Sequence, residues 1–231
     1  MPRTKRLIPM DLPMHIMSRS NNKQIIFNND SDKLRYYSLL LNLKNQNKVD
    51  ILHYCIMNNH THLIVMPNSQ SKLARFMKQV NLSYFNYYKI KNNYCGHLWQ
   101  GRFKSNIIDN DIYLLQCGKY IELNPVRAGI ISSPQDYKFS SYNYYAIGAK
   151  DKLITPSPVY LDLSESPDKR KNIYIEFMIN TEWIATEKLD KQRFIGSNDF
   201  IQRLQKVYTT KTIPLRRGRP KSTKSGDVSI F

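Results

Sequence analysis

VDILHYCIMNNHTHLIVM, residues 49 to 66, is the stretch that decides the fold. Two apolar runs, Ile51-Leu52 through Ile56-Met57 and Leu63-Ile64-Val65-Met66, flank the polar pair Asn58-Asn59. The second run is too short for a helix before Pro67, so Thr61 to Met66 reads as a strand. Val49 to Met57 reads as its partner, and Asn58-Asn59 as the tight turn of a hairpin. His60 and His62 fall at that turn's far side. Residues two apart on a strand share a face, so two imidazoles about 7 Å apart at their backbones can converge on one ion through bonds of about 2 Å. A plainer reading stands beside this one, with one histidine buried and satisfied and the other exposed.

Working outward, Met14 to Arg19 reads as a first strand, followed by the turn-prone Ser20-Asn21-Asn22. Asp30 or Ser31 can cap a helix carrying Leu34, Tyr37, Leu40 and Leu41, which fades near Asn45-Gln46-Asn47. After the hairpin, Ser69 or Ser71 opens a second helix with Leu73, Phe76, Met77, Val80, Tyr84 and Tyr88 as its apolar stripe. Trp99 to Ile108 reads as extended. Asp109 or Asn110 then caps a third helix through Tyr113, Leu114, Cys117, Tyr120 and Ile121, which Pro125 ends near Asn124. The order strand, helix, strand, strand, helix, strand predicts an α+β fold of the ferredoxin-like (RRM-like) split βαβ kind, an antiparallel sheet with helices on one face. In that topology the first and third strands are central, which puts the histidine pair on a rigid element.

Residues 1–150 are expected to form this main domain. Residues 151–210 are expected to be a small helical extension: Pro156, Pro158 and Pro167 mark a linker-like stretch, and Ile173 to Met178 and Phe200 to Val207 suggest short helices. Residues 211–231 read as a basic, disordered tail.

Thirty-five Lys plus Arg against eighteen Asp plus Glu leave a net charge of +17, which points to phosphate-rich partners. Charge alone does not separate DNA from RNA or an anionic membrane. No apolar run reaches the roughly eighteen residues of a membrane span, so no membrane partner is expected. Basic residues open the chain, but Pro9, Asp11 and Pro13 interrupt any signal-peptide core. Three scattered cysteines without a Cys-x-x-Cys suit a reducing cytoplasm and argue against a disulfide framework or a zinc ribbon.

Gln116, Tyr120 and Asn124 follow one another at spacings of four, so they project from one face of the third helix, whereas its core stripe would run through Leu115, Ile121 and Leu123. Tyr120 could be packing and Asn124 a helix cap. Joined to the histidine pair, the same residues make a metal site beside an oxygen nucleophile. A phenol has a pKa near 10, and a nearby cation makes it competent by stabilising developing charge.

The segments Met57 to Val65 (MNNHTHLIV), Leu98 to Phe103 (LWQGRF) and Tyr120 to Gly129 (YIELNPVRAG) resemble the signature blocks of IS200-like tyrosine transposases, and more narrowly the REP-associated tyrosine transposases of bacteria. Ser18-Arg19-Ser20-Asn21-Asn22 matches the segment that follows the family's first strand. The resemblance implies an HUH-type endonuclease that nicks and rejoins single-stranded or hairpin DNA. His60 and His62 would hold one divalent ion, Mg²⁺ or Mn²⁺, and Tyr120 would attack the scissile phosphate to leave a 5′-phosphotyrosine link. Asn124 is the family's position for a third ligand, with Gln116 as the alternative. An amide oxygen suits a hard cation. The motif holds a single tyrosine, so multi-strand chemistry needs a homodimer or sequential turnover by a monomer. A cytoplasmic, nucleoid-associated protein is expected.

For DNA contacts, Arg102 and Lys104 alternate with Trp99 and Phe103, a pattern suited to gripping phosphates and stacking bases. Arg127, past the nucleophile helix, is a further phosphate clamp. Arg216, Arg217 and Arg219 lie in the tail segment Leu215 to Lys221, whose Arg-Gly-Arg-Pro (217–220) resembles the core of an AT-hook, which would place arginines in a narrow minor groove. The competing class is a non-catalytic nucleic-acid-binding regulator on an RRM-like framework. An RRM carries aromatics in its central strands, whereas this chain places His60 and His62 there. A zinc domain built on Cys95, His97 and the histidine pair lacks regular ligand spacing.

Overall fold

The computed structural model describes residues 8–109, 111–180 and 193–209. Five strands form one sheet: β1 (Met14–Arg19), β2 (Asp50–Ile56), β3 (His60–Met66), β4 (Lys104–Ile108) and β5 (Phe194–Ile195), in the order β2-β3-β1-β4-β5. The α+β class stands, and β1 and β3 are interior. β1 pairs antiparallel with β3 and β4, and β2 pairs antiparallel with β3. β5 is a correction to a purely antiparallel sheet, because it runs parallel to β4 with Ile107 opposite Phe194. Two residues are too few to leave an alternating pattern in the sequence.

Helices α1 (Asp30–Gln46) and α2 (Leu73–Asn92) pack together on one face of the sheet. The apolar stripe expected for α2, Leu73 through Tyr88, is the set of side chains it buries. Burying each such residue contributes about 1.5–3 kcal/mol. The buried Asp32 carboxylate takes the Lys91 ammonium at 2.5 Å and the Tyr87 hydroxyl at 2.8 Å, which fixes the two helices against each other. The caps differ from expectation. Asn29, one residue earlier than Asp30, caps α1 by accepting from the Asp32 N–H at 3.1 Å. At α2 neither serine caps, because the Ser71 hydroxyl donates to the Lys48 carbonyl in the turn between α1 and β2. The fourth strand begins at Lys104 rather than near Trp99, which makes only an isolated bridge to Ser20.

Helix α3 (Asp111–Glu122) lies on the opposite face, against β2 and β3. Gly118 makes that approach possible: a Cβ there would sit 2.8 Å from His53 Cε1. Asp109 does not cap this helix, because its carboxylate accepts from the Ser197 N–H and hydroxyl at 3.0 Å each. After Leu123 the chain makes one more turn, α4 (Asn124–Arg127), across Pro125, whose missing N–H breaks the α-helical ladder. Then come α5 (Tyr142–Ile147), α6 (Pro158–Leu161), α7 (Pro167–Asn180) and α8 (Asn198–Thr209). Pro158 and Pro167 do not mark a linker. Each opens a helix, where its fixed φ suits the first turn. Val159, Tyr160, Tyr174 and Met178 join the main core, so the extension packs behind α3.

Candidate active site

The hairpin turn is held from outside. Asn58 carbonyl accepts from the Ile26 and Phe27 N–H groups at 3.0 Å each, and Asn59 carbonyl accepts from the Ser20 N–H at 3.0 Å. The Asn59 side-chain amide donates to the Lys23 carbonyl at 3.0 Å, which fixes its orientation and turns Oδ1 toward His60 Nδ1, 2.5 Å away. His60 Nδ1 is therefore the donor, and Nε2 carries the lone pair. This is the arrangement of a ligating histidine whose second nitrogen is anchored.

His62 is 2% exposed and stands across from Met17 on β1 and Cys55 on β2. Burial, then the neighbouring His60, His15, Arg19 and Arg127, hold its imidazole well below the usual histidine range. It is neutral at pH 7 and keeps a lone pair. The two rings stand 4.8 Å apart at their centroids, near perpendicular at 84°. Two imidazoles bound to one ion through single nitrogens at about 2.1 Å and roughly a right angle have centroids about 4.5–5 Å apart. The pair fits a shared cation.

Tyr120 reaches this pair from α3. Its half-buried ring lies 6.1 Å from that of His62, edge to face. The exposed Arg127, one short turn on, sets its guanidinium 4.5 Å from the Tyr120 ring centroid. The residue read as a phosphate clamp thus covers the tyrosine. Among the described residues no three His, Cys, Asp or Glu side chains gather to hold a metal, so a third protein ligand would be an amide. Both amides that flank Tyr120 are suited to this. Gln116 is buried with its Oε1, an acceptor, lacking a hydrogen-bond partner, whereas at Asn124, at the start of α4 rather than capping α3, the buried unpartnered atom is the donor Nδ2, so its amide would turn over to present Oδ1 to a cation.

Other sequence-predicted residues lie further out. Lys104 pairs with Met17 across β1 and β4, so it shares the histidine face, and it is exposed. Arg102 is exposed and Phe103 is buried. Trp99 turns to the α2 side, where its indole N–H donates to the Asn81 carbonyl at 2.9 Å beside Tyr36 and Tyr84. Trp99 and Arg102 line a groove of about 630 Å³ together with Met77, Lys78 and Leu82. Arg216, Arg217 and Arg219 lie outside the described residues.

Sequence reasoning missed the groups behind the site. His15 on β1 is buried and 2.7 Å from His62, and Asn106 on β4 is buried beside His15. Arg19 stands across from His60 with a buried, unpartnered Nε. Glu122, two residues past Tyr120, is fully buried and accepts from His53 Nδ1 at 2.9 Å, Ser141 at 2.5 Å and Tyr174 at 2.7 Å. None of them left a periodic trace, and Arg19 was marked only as part of the Ser18-to-Asn22 block.

Comparison with known proteins agrees with this picture. A family model described as "Transposase IS200 like" matches residues 10–124. The fold is similar to that of a REP-associated tyrosine transposase solved bound to a REP hairpin, with TM-score 0.56 and 16% identity over 68% of this chain and 93% of that one. A candidate transposase from Deinococcus radiodurans R1 aligns at TM-score 0.38 and 16% identity over 52% of this chain and 96% of its own. The tRNA(His) guanylyltransferase of Saccharomyces cerevisiae aligns at 0.42 and 13% over 87% and 96%. Those last two likenesses are too weak to carry an argument. No curated protein matches the sequence. With His60, His62 and Tyr120 inside the matched segment and gathered on one face of the sheet, the chain belongs to the IS200-like transposase family, whose members are DNA-cleaving enzymes.

Proposed function

We propose that this protein is an HUH-type enzyme that nicks and rejoins single-stranded DNA at hairpin or palindromic repeats, with a divalent cation and a covalent tyrosine intermediate. The observation that carries the reading is the meeting of Tyr120 with the paired histidines, its ring 6.1 Å from that of His62. The narrower kinship with REP-associated enzymes rests on the sequence blocks and on the fold they share. A cytoplasmic, nucleoid-associated site of action goes with that substrate. The unpaired cysteines, two of them buried, are in keeping with it.

His60 and His62 would hold Mg²⁺ or Mn²⁺ through their Nε2 atoms, with Asn124 as the third ligand and Gln116 as its competitor. The bound cation supplies Lewis-acid polarisation of the phosphate. Tyr120 Oη forms a new bond to phosphorus while the bond to the 3′-oxygen breaks. The phenol loses its proton and the departing 3′-oxygen gains one. One phosphodiester replaces another, so no nucleotide triphosphate is consumed. A second 3′-hydroxyl reverses the step on a new strand. Arg127, stacked on the nucleophile, stabilises negative charge on the phenolate and the phosphate. Arg102, Lys104 and the tail residues Arg216, Arg217 and Arg219 engage phosphates, while Trp99 offers a half-buried ring to a base.

The test is incubation with labelled hairpin DNA from the repeats flanking the gene, with Mg²⁺ or Mn²⁺. The expected product is a protein–DNA adduct that survives denaturant and disappears in Tyr120→Phe and in His60→Ala/His62→Ala. Tight hairpin binding without an adduct would overturn the catalytic reading in favour of a binding module.

A further inference from the structure

His62 Nδ1 lies 2.7 Å from His15 Nε2, and His15 Nδ1 lies 3.3 Å from Asn106 Oδ1. All three side chains are at least 95% buried, and they come from three adjacent strands, β3, β1 and β4. The His15 and His62 rings are 13° from parallel with centroids 5.0 Å apart, close to coplanar, as an in-plane N–H···N bond requires. Each neutral imidazole has one donor and one acceptor nitrogen. The chain of contacts therefore has one direction, set at its Asn106 end. With Oδ1 facing the ring, His15 Nδ1 must donate, so His15 Nε2 is an acceptor. It then takes the proton of His62 Nδ1, which leaves the lone pair of His62 on Nε2.

We propose that His15 is a positioning residue which, oriented by Asn106, fixes the ring and tautomer of His62 so that its Nε2 is ready to bind the cation. The inference rests on the metal-site reading above and adds an anchor to it. His60 has its own anchor in Asn59. The two ligands are thus oriented by separate means, one from the hairpin turn and one from across the sheet. Such outer partners raise metal affinity by about 10–100-fold where they have been removed in other sites. His15 needs no charge for this role, only a lone pair at the right place.

The first measurement uses the metal-free wild-type protein, with ¹⁵N-labelled histidine and two-bond ¹⁵N–¹H correlation spectra. Both His15 and His62 are expected as Nδ1–H tautomers; His62 as the Nε2–H tautomer would overturn the proposal. This reading is independent of whether Tyr120 cleaves DNA, so its failure and failure of the catalytic reading are distinguishable. The second compares Mn²⁺ affinity by calorimetry. His15→Phe keeps an aromatic ring at this position and removes the acceptor, and about a 10–100-fold loss of affinity is expected with the circular dichroism unchanged. Asn106→Leu should follow His15→Phe, whereas Asn106→Asp, which still accepts from His15 Nδ1, should keep wild-type affinity and the Nδ1–H form of His62. Unchanged affinity in His15→Phe, or a loss in Asn106→Asp as large as in Asn106→Leu, would contradict it.

Discussion

Replacing Glu122 with alanine tests how the tyrosine helix is held. This carboxylate is fully buried and serves three donors from three parts of the chain: His53 on β2 at 2.9 Å, Ser141 before α5 at 2.5 Å, and Tyr174 on α7 at 2.7 Å. Burial first, then the Glu122 charge, keeps the Tyr174 phenol well above its usual range, so it remains a donor at any ordinary pH. Each buried donor left without an acceptor costs about 1–3 kcal/mol, which for three gives roughly 3–9. Partial relaxation lowers that sum, so about 4 kcal/mol is expected. For a chain of this size that is a fall in Tm of about 8–16 °C. Glu122→Gln keeps one acceptor oxygen, and the Tyr174 hydroxyl can rotate to accept; a loss of about 1–2 kcal/mol is expected. Urea unfolding followed by circular dichroism, with an unchanged m-value, measures both. A loss below about 1 kcal/mol in Glu122→Ala would refute the claim that this carboxylate ties α3 to the C-terminal helices.

Four further outcomes are expected. Gly118→Ala should lose about 1–3 kcal/mol in urea unfolding despite alanine's better helix propensity, because His53, stacked 4.5 Å from Tyr145 and bonded to Glu122, cannot move out of the way. Alkaline pH should unfold the protein in a steep step. Tyr36 is pushed up to about 12 and Tyr54, Tyr145 and Tyr174 well above their usual value, all chiefly by burial. These raised phenols lend stability that is complete below pH 10 and is lost above it, as the unfolded chain ionises and the folded one does not. The slope is about 1.4 kcal/mol per phenol per pH unit, which absorbance of phenolate against pH reads directly. Asn124→Ala should weaken Mn²⁺ binding more than Gln116→Ala in calorimetry; the reverse order makes Gln116 the ligand. Removing residues 211–231 should weaken DNA binding and flatten its salt dependence by about 0.7 in log–log slope for each phosphate the tail neutralises, and an unchanged slope would deny the tail a part in binding.

The sequence was most informative where one physical demand dominates. The hairpin followed from apolar runs of strand length around Asn58-Asn59, and α2 from its 3.6-residue stripe, because burying one face decides both. Pairing Tyr120 with His60 and His62 needed more than spacing, since 58 residues separate Tyr120 from His62 and only packing of α3 on β3 joins them. His15, Asn106 and Glu122 were not legible. Each is a polar residue whose partners lie 47 or more, 91 and up to 69 residues away, and a single buried polar side chain leaves no periodic trace. Pro158 and Pro167 misled for a related reason, because proline punctuates linkers and opens helices alike, and only the apolar residues after it finding a core distinguishes the two. The turn to α4 was half legible: Pro125 marked the end of α3, but not that the chain would wind once more and bring Arg127 over Tyr120.

The most direct test of the central claim is to trap the reaction with hairpin DNA and Mn²⁺, digest the protein, and find by mass spectrometry which peptide carries the nucleotide. The expected result is a 5′-linked nucleotide on Tyr120, with an equal amount of free 3′-hydroxyl on the released strand. Label on a different tyrosine, such as the nearby Tyr113 on the same helix, or cleavage to a free 5′-phosphate with no labelled peptide, would contradict it.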